Sequence, residues 1–219
     1  MVREYARQTR LYGMLREVRR HYRSRRVVHD WERSGRPVPP PCEFKRETLK
    51  RYARKFGLDV LVETGTFHGD MIEATRSHFR EIYSIELGQE LYRAACRRFA
   101  RHGHVRLLQG SSEVVLRELL PKLKGTPLIW LDAHYTGDGT ARGESDTPIV
   151  EELEAILEQK QIDAVVLIDD ARLFDGTNGY PTLLSVREMI LGRRGDWVVE
   201  VRDDIIRAHP PRPRTGDRR

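Results

Sequence analysis

Residues 60–70 place an acid and two glycines at the point where an apolar run gives way to a helical pattern. The segment reads VLVETGTFHGD, so Glu63, Gly65 and Gly69 follow the spacing Glu-x-Gly-x-x-x-Gly. Glycine has no Cβ, and a glycine turn therefore lets the backbone bend sharply and approach a ligand closely. The acid at the end of the run can hold the amino group of a cationic ligand. Because glycines also serve ordinary strand-to-helix turns, both interpretations stay open here.

Two later apolar runs end in residues that suit a nucleoside. Glu86 lies 21 residues beyond Gly65, where a carboxylate can accept hydrogen bonds from both hydroxyls of a ribose. The alternative is a surface carboxylate at a helix entry. Gly110, Ser111 and Ser112 follow the next run, and they predict contact with adenine, a hydroxyl cap on the following helix, or both.

The fourth and fifth apolar runs end in carboxylates. Asp132 and His134 follow one run, and Asp169 and Asp170 follow the other. Three carboxylates around one crevice are costly unless they are protonated, paired or bound to a cation, and Mg²⁺ prefers such oxygen ligands. His134 is a candidate general base, with a packing role in a loop as the alternative. For the aspartate pair, the alternative is a helix cap or an ion pair with Arg172.

Apolar runs and helical patterns alternate from residue 59 onwards. The predicted strands are 60–63, 82–86, 105–108, 128–132 and 164–169, and the predicted helices are 70–79, 90–101, 113–123, 148–159 and about 181–191. Residues 197–201 and 205–208 flank Arg202-Asp-Asp204 and predict a closing hairpin. Continuous apolar strands separated by helices indicate an α/β fold with a parallel sheet covered on both faces. The ligand site is expected at the carboxyl ends of the strands.

These strand ends together resemble class I S-adenosylmethionine (SAM)-dependent methyltransferases. The resemblance covers about residues 45–209 and is carried by the glycine turn, by Gly110-Ser-Ser-Glu113, by Asp132 and by the pair Asp169-Asp170. Among these enzymes the chain is most similar to the metal-dependent O-methyltransferases of the catechol and macrocin types, and it also resembles the cephalosporin-hydroxylase-like group. No lysine stands a few residues beyond Asp132 to match the base of the catechol type.

The resemblance implies a Rossmann-like methyltransferase fold, a mostly parallel seven-stranded sheet with a C-terminal antiparallel hairpin. It implies a SAM-dependent methyltransferase acting on a hydroxyl of a small or glycosidic acceptor. The candidate catalytic residues are Asp132 and, from its position two residues further on, His134. The implied cofactor residues are Glu63, Gly65, Thr66, Gly69, Glu86, Gly110, Ser111, Ser112 and Asp132, and the implied Mg²⁺ ligands are Asp132, Asp169 and Asp170. The alternatives are a metal-dependent enzyme of other chemistry, or a basic nucleic-acid or membrane-surface binding module, on the same fold.

The first 44 residues are predicted to form a basic helical extension with a proline-rich linker. Residues 1–55 carry 17 Lys or Arg against 6 Asp or Glu, whereas the remaining residues carry 22 against 27. A helix is predicted over about residues 46–56, with Gly57 as its C-terminal stop. The predicted helix 2–26 has an apolar stripe (Leu11, Leu15, Val18 and Tyr22) flanked by arginines. The stripe could dock on the catalytic domain or pair in a homodimer, and the arginines could contact an anionic partner. No nucleic-acid motif accompanies them, which makes nucleic acid an unlikely partner.

Composition sets further bounds on the class of protein. The two cysteines, Cys42 and Cys96, are far apart and predict neither a disulfide framework nor a zinc site. No apolar run approaches the ~18 residues of a membrane span. The N-terminus has no stretch typical of a signal peptide, so the expected location is the cytoplasm. The tail 210–219 is rich in proline and arginine and is predicted to be disordered.

Overall fold

The computed structural model describes residues 22–133 and 147–211, of which 22–33 form helix α1. The other helices are α2 (Cys42–Phe56), α3 (Asp70–Thr75), α4 (Gln89–Phe99), α5 (Ser112–Leu119), α6 (Ile149–Glu158) and α7 (Leu183–Arg193). The strands are β1 (Val60–Thr64), β2 (Glu81–Glu86), β3 (Val105–Gln109), β4 (Pro127–Leu131), β5 (Val165–Ile168), β6 (Val198–Arg202) and β7 (Ile205–His209).

The seven strands form one sheet in the order β3-β2-β1-β4-β5-β7-β6. The pairs from β3 to β5 are parallel, whereas β7 is antiparallel to both β5 and β6. The chain order switches direction between β1 and β4, and ligands of open α/β sheets bind outside the carboxyl ends of strands at such a point. The predicted mostly parallel seven-stranded sheet with a C-terminal antiparallel hairpin is confirmed.

Apolar side chains fill both faces of the sheet, because successive residues of a strand point to opposite sides. Val62 and Ile129 belong to the core cluster beneath α5, α6 and α7. Leu61 and Trp130 belong to the cluster beneath α2, α3 and α4. A strand buried on both faces reads as a continuous apolar run, which is why β1 and β4 were visible in the sequence.

Several helix boundaries differ from the predicted ones, and three of the differences have a clear physical reason. α1 continues to residue 33 instead of ending near 26, because no glycine or proline interrupts it before Gly35. α2 begins at Cys42 instead of near residue 46, directly after the proline-rich stretch, and it ends at Gly57 as predicted. α3 ends at Thr75 instead of Phe79, and the Thr75 hydroxyl donates to the carbonyl of Met71 at 2.7 Å, a bond that often bends a helix.

The described part of the N-terminal extension packs on the sheet. Trp31 is buried against Phe44 with ring centroids 4.5 Å apart, and its indole N–H donates to the carbonyl of Pro37 at 2.8 Å. Arg36 reaches across to Asp203, with its Nη1 3.0 Å from Oδ1. The predicted boundary between extension and domain, at residue 44, therefore falls inside α2 and beside core residues.

Other parts of the extension and the tail cannot be compared with their predictions. Leu11, Leu15 and Val18 of the apolar stripe lie outside the described residues, as do residues 212–219. Tyr22, the last residue of the stripe, is 70% exposed. No helix within 22–133 and 147–211 is both long enough and apolar enough to cross a membrane.

Candidate active site

The two glycines of the first turn are required by packing inside the protein. Gly65 has φ +82°, and a Cβ there would lie 2.5 Å from the carbonyl oxygen of Asp132. Gly69 has φ +76°, and its Cβ would lie 2.5 Å from the ring of Phe99. The structural interpretation of these glycines thus has a direct physical basis. Close approach to a ligand stays a prediction for both positions.

Glu63, at the end of β1, is buried with only 2% exposure. Its Oε2 accepts a hydrogen bond from the Ser84 hydroxyl at 2.6 Å, and Ser84 is in turn 2.6 Å from the hydroxyl of Thr66. Burial raises the pKa of Glu63 to about 8, although the bond from Ser84 acts in the opposite direction. Around neutral pH the carboxyl is therefore mostly protonated, and a cation beside it would favour its ionised form.

Glu86, at the end of β2, connects the first two strand-to-helix turns. Its Oε2 accepts from the backbone N–H of Phe67 and its Oε1 from that of Gly88, both at 2.8 Å. The side chain is 5% exposed. A carboxylate has about four lone-pair positions, so roughly two remain after these bonds are made. The surface-carboxylate alternative does not describe this buried group.

The third turn differs in detail from the predicted helix cap. Ser111 occupies the N-cap position of α5, but its hydroxyl donates to the carboxylate of Glu113, at 2.6 and 2.7 Å from the two oxygens, and makes no cap bond. Gly110 has φ +145° and donates its N–H to the carbonyl of Glu86. Ser112 is buried and hydrogen-bonds the side chain of Glu152.

The ends of β4 and β5 bring the three predicted carboxylates together. The N–H of Asp169 donates to the carbonyl of Leu131 at 3.1 Å, so the two strand ends run side by side. Burial raises the pKa of Asp132 well above its ordinary value, and the charge of Asp169 adds to this. Burial likewise raises the pKa of Asp169 to about 6. His134, the candidate base, lies outside the described residues.

A cation that the sequence analysis missed stands between two of these carboxylates. Nζ of Lys45 lies 2.5 Å from Oδ2 of Asp169 and 3.2 Å from Oδ1 of Asp170. Burial lowers the pKa of Lys45, but the adjacent aspartates outweigh it and the pKa is raised. Lys45 shares a face of α2 with the buried Leu49 and Tyr52, a signal that was lost because the helix was predicted to begin at residue 46.

Arg172 neutralises the other side of the aspartate pair. Its Nη1 donates to Oδ1 of Asp170 at 2.8 Å and also contacts Asp204. Asp170 has φ +54°, a strained conformation for a non-glycine residue, and the short helical turn Ala171–Leu173 follows it. The ion pair with Arg172, which was the alternative to metal binding, is therefore present. In the described parts of the chain, no group of three or more His, Cys, Asp or Glu side chains is arranged to hold a metal ion.

A small polar cavity lies beside these carboxylates, between the ends of β4 and β5, the start of α6 and the loop after β5. Its polar and aromatic lining consists of Asp132, Thr147, Glu152, Asp169, Phe174 and Tyr180. Burial raises the pKa of Glu152 to about 7, and its Oε1 has no hydrogen-bond partner within 22–133 and 147–211. Burial also raises the pKa of Tyr180 to about 12.

Three solved structures that align with this chain are methyltransferases by name. The SAH-bound methyltransferase PaMTH1 of Podospora anserina aligns with a TM-score of 0.55 and 19% identity over 85% of this chain and 88% of its own. The O-methyltransferase TomG of Streptomyces achromogenes, in complex with SAM, aligns with a TM-score of 0.56 and 18% identity over 86% of this chain and 89% of its own. The O-methyltransferase of Bacillus cereus, in complex with SAH, aligns with a TM-score of 0.55 and 14% identity over 86% of this chain and 90% of its own. The chain has the class I methyltransferase fold.

The resemblance drawn from the strand ends is thereby confirmed at the level of the fold. No family model matches this methyltransferase-fold chain, and no curated protein matches it in sequence. Identities of 14–19% show the fold alone, so the ligands and the reaction are argued from the site itself.

Proposed function

We propose that the chain is a SAM-dependent methyltransferase that methylates a hydroxyl of a small or glycosidic acceptor. The observation that carries this proposal is the position of Glu86. Its carboxylate is held by two backbone N–H groups at the end of β2, beside the turn after β1, on the methyltransferase fold. The TomG and PaMTH1 structures, which share the fold, contain SAM and SAH, respectively.

The residues at the first, second and third strand ends suit this cofactor. The two lone-pair positions left on Glu86 match two ribose hydroxyls. The largely protonated Glu63 can ionise when a cationic ligand approaches, which suits the methionine part of the cofactor. The full set proposed to hold the cofactor is Glu63, Gly65, Thr66, Gly69, Glu86, Gly110, Ser111, Ser112 and Asp132.

The work of the protein in such a transfer is mainly alignment. When bound, SAM supplies an electrophilic methyl carbon that passes to the acceptor oxygen as the C–S bond breaks and sulfur keeps the electron pair. Asp132, at the end of β4, would help to hold the acceptor in line with that carbon. A base must take the proton of the acceptor hydroxyl, and His134 stays the predicted candidate for that role.

Magnesium at Asp132, Asp169 and Asp170 stays a prediction, and the donor set does not fit it well. The carboxylate oxygens that would bind the ion are already in contact with the ammonium group of Lys45 and with Arg172. No step of the proposed reaction is therefore assigned to a metal.

The proposal is tested by titrating the purified protein with SAH in a calorimeter. We expect binding by the wild type, and Glu86→Gln should weaken it by at least ~10-fold, about 1.4 kcal/mol, because one ribose hydroxyl loses its acceptor. The matched control is Glu90→Gln, which changes an exposed acid on the neighbouring helix α4 and should leave the affinity unchanged. Absence of SAH binding by a folded wild-type protein would contradict the proposal.

The remaining predictions about partners depend on the N-terminal extension. Homodimer formation through its helix, a role for its arginines on an anionic surface, and a cytoplasmic location all stay predictions. The arginines concerned precede residue 22 or adjoin it, so no contact of the described structure favours these alternatives over the methyltransferase proposal.

A further inference from the structure

Lys45 comes to the carboxylate cluster from an element far away in the sequence. It lies in the first turn of α2, 124 residues from Asp169. The helix is held in place by Leu49 and Tyr52, which are buried against the sheet on the same face as Lys45. The ammonium group is therefore delivered by a packed helix, and its position is fixed by the core.

The ammonium group contacts the atoms that a divalent ion would need. Nζ of Lys45 lies 2.5 Å from Asp169 Oδ2 and 3.2 Å from Asp170 Oδ1. Only 14% of the Lys45 side chain is exposed, so water does little to screen its charge. An ion bound to the same two oxygens would stand next to a positive charge in a poorly hydrated place, and like charges repel strongly there.

A second cation reaches the aspartate pair from the other side. Arg172 contacts Asp170 and also contacts Asp204. Both aspartates of the pair therefore already have a cationic partner at the oxygens that an ion would use.

We propose that Lys45 is the resident cation of this site, that its ammonium group replaces the divalent ion between Asp169 and Asp170, and that the site works without a metal. That the site works without a metal in methyl transfer rests on the proposed methyltransferase function. That Lys45 excludes a divalent ion depends only on its contacts with Asp169 and Asp170. A fixed ammonium group offers N–H donors to an acceptor oxygen that gains negative charge, which is an electrostatic role that a metal could otherwise fill.

The test uses Mn²⁺ as the probe, because its electron paramagnetic resonance signal falls when the ion is bound. The full chain is titrated as wild type, as Lys45→Met and as the matched control Lys50→Met. Lys50 lies on the same helix with 16% exposure and pairs only with Glu47, at 3.0 Å, among the contacts of the described residues. We expect Mn²⁺ to bind the wild type and Lys50→Met with a Kd above about 1 mM, and Lys45→Met at least ~10-fold more tightly.

Two results would overturn the proposal. One is Mn²⁺ binding by the wild type that Asp169→Asn abolishes. The other is a folded Lys45→Met protein with no gain in Mn²⁺ affinity. Should Lys45→Met fail to fold, Lys45→Gln is titrated in its place. The wild-type titration is a separate test that needs no variant at position 45. For each of these proteins, the SAH affinity measured in EDTA should equal the SAH affinity measured in Mg²⁺. If none of them binds SAH in either buffer, the methyltransferase function is contradicted, whereas the conclusion from Mn²⁺ binding is unaffected.

Discussion

Replacing Gly65 with alanine should destabilise the protein and displace Asp132. Two costs add at this position. A non-glycine residue at φ +82° costs about 1–2 kcal/mol. The new Cβ would lie 2.5 Å from the carbonyl oxygen of Asp132, which is backbone and cannot rotate away, so that overpacking adds about 1–3 kcal/mol.

Gly57→Ala separates these two costs, because Gly57 also has positive φ (+67°) but a Cβ there meets nothing within 4 Å. Urea unfolding should therefore show Gly65→Ala less stable than Gly57→Ala by about 1–3 kcal/mol. The entropy that alanine removes from the unfolded chain is shared by both variants and cancels. SAH affinity should fall in the first variant and stay unchanged in the second. Equal losses of stability in both variants would refute the argument that Gly65 is required by contact with the Asp132 peptide.

Three further results are expected. The raised pKa of Glu63 (about 8, against 4.5 ordinarily) means that the folded state keeps a proton which the unfolded chain releases, so stability should fall from about pH 5 to about pH 8. Glu63→Gln should reduce that decline in urea unfolding, and an unchanged pH profile would contradict the protonated state. SAM binding should release protons at neutral pH, so calorimetric enthalpies should differ between buffers, and less so in Glu63→Gln. Trp31→Ala should lower the free energy of unfolding by about 3 kcal/mol, because it removes the buried ring that packs against Phe44. An unchanged unfolding midpoint would instead show that residues 22–41 do not unfold cooperatively with the domain.

The fold could be predicted because each central strand can be recognised from its own sequence pattern. All residues of β1 and β4 are buried, so each reads as an apolar run between helical patterns. The closing hairpin was visible because Asp203 and Asp204 tolerate positive φ, +53° and +61°, as a two-residue hairpin loop requires. The strand order, by contrast, was not predicted, since spacing along the chain does not determine which strands are neighbours.

The meeting of the three aspartates was predicted because it depends on strand ends, whereas Lys45 was missed because its position depends on packing between distant segments. Asp132, Asp169 and Asp170 follow apolar runs directly, and parallel strands bring such ends to one edge. Lys45 enters from α2, and only the tertiary placement of that helix puts its charge beside Asp169. The protonation of Glu63 was equally hidden, because it follows from burial and not from residue type.

The acidic residues at the strand ends differ in whether a cation of the protein already contacts them. Asp169 and Asp170 are already balanced by Lys45 and Arg172. The pKa of Glu63 is raised by burial, and an uncharged acid costs less to bury than an ionised carboxylate. A cationic ligand beside Glu63 would make its ionisation favourable. The side of the site near β1 is therefore suited to a cation that arrives with the cofactor, while the side near β5 carries its own.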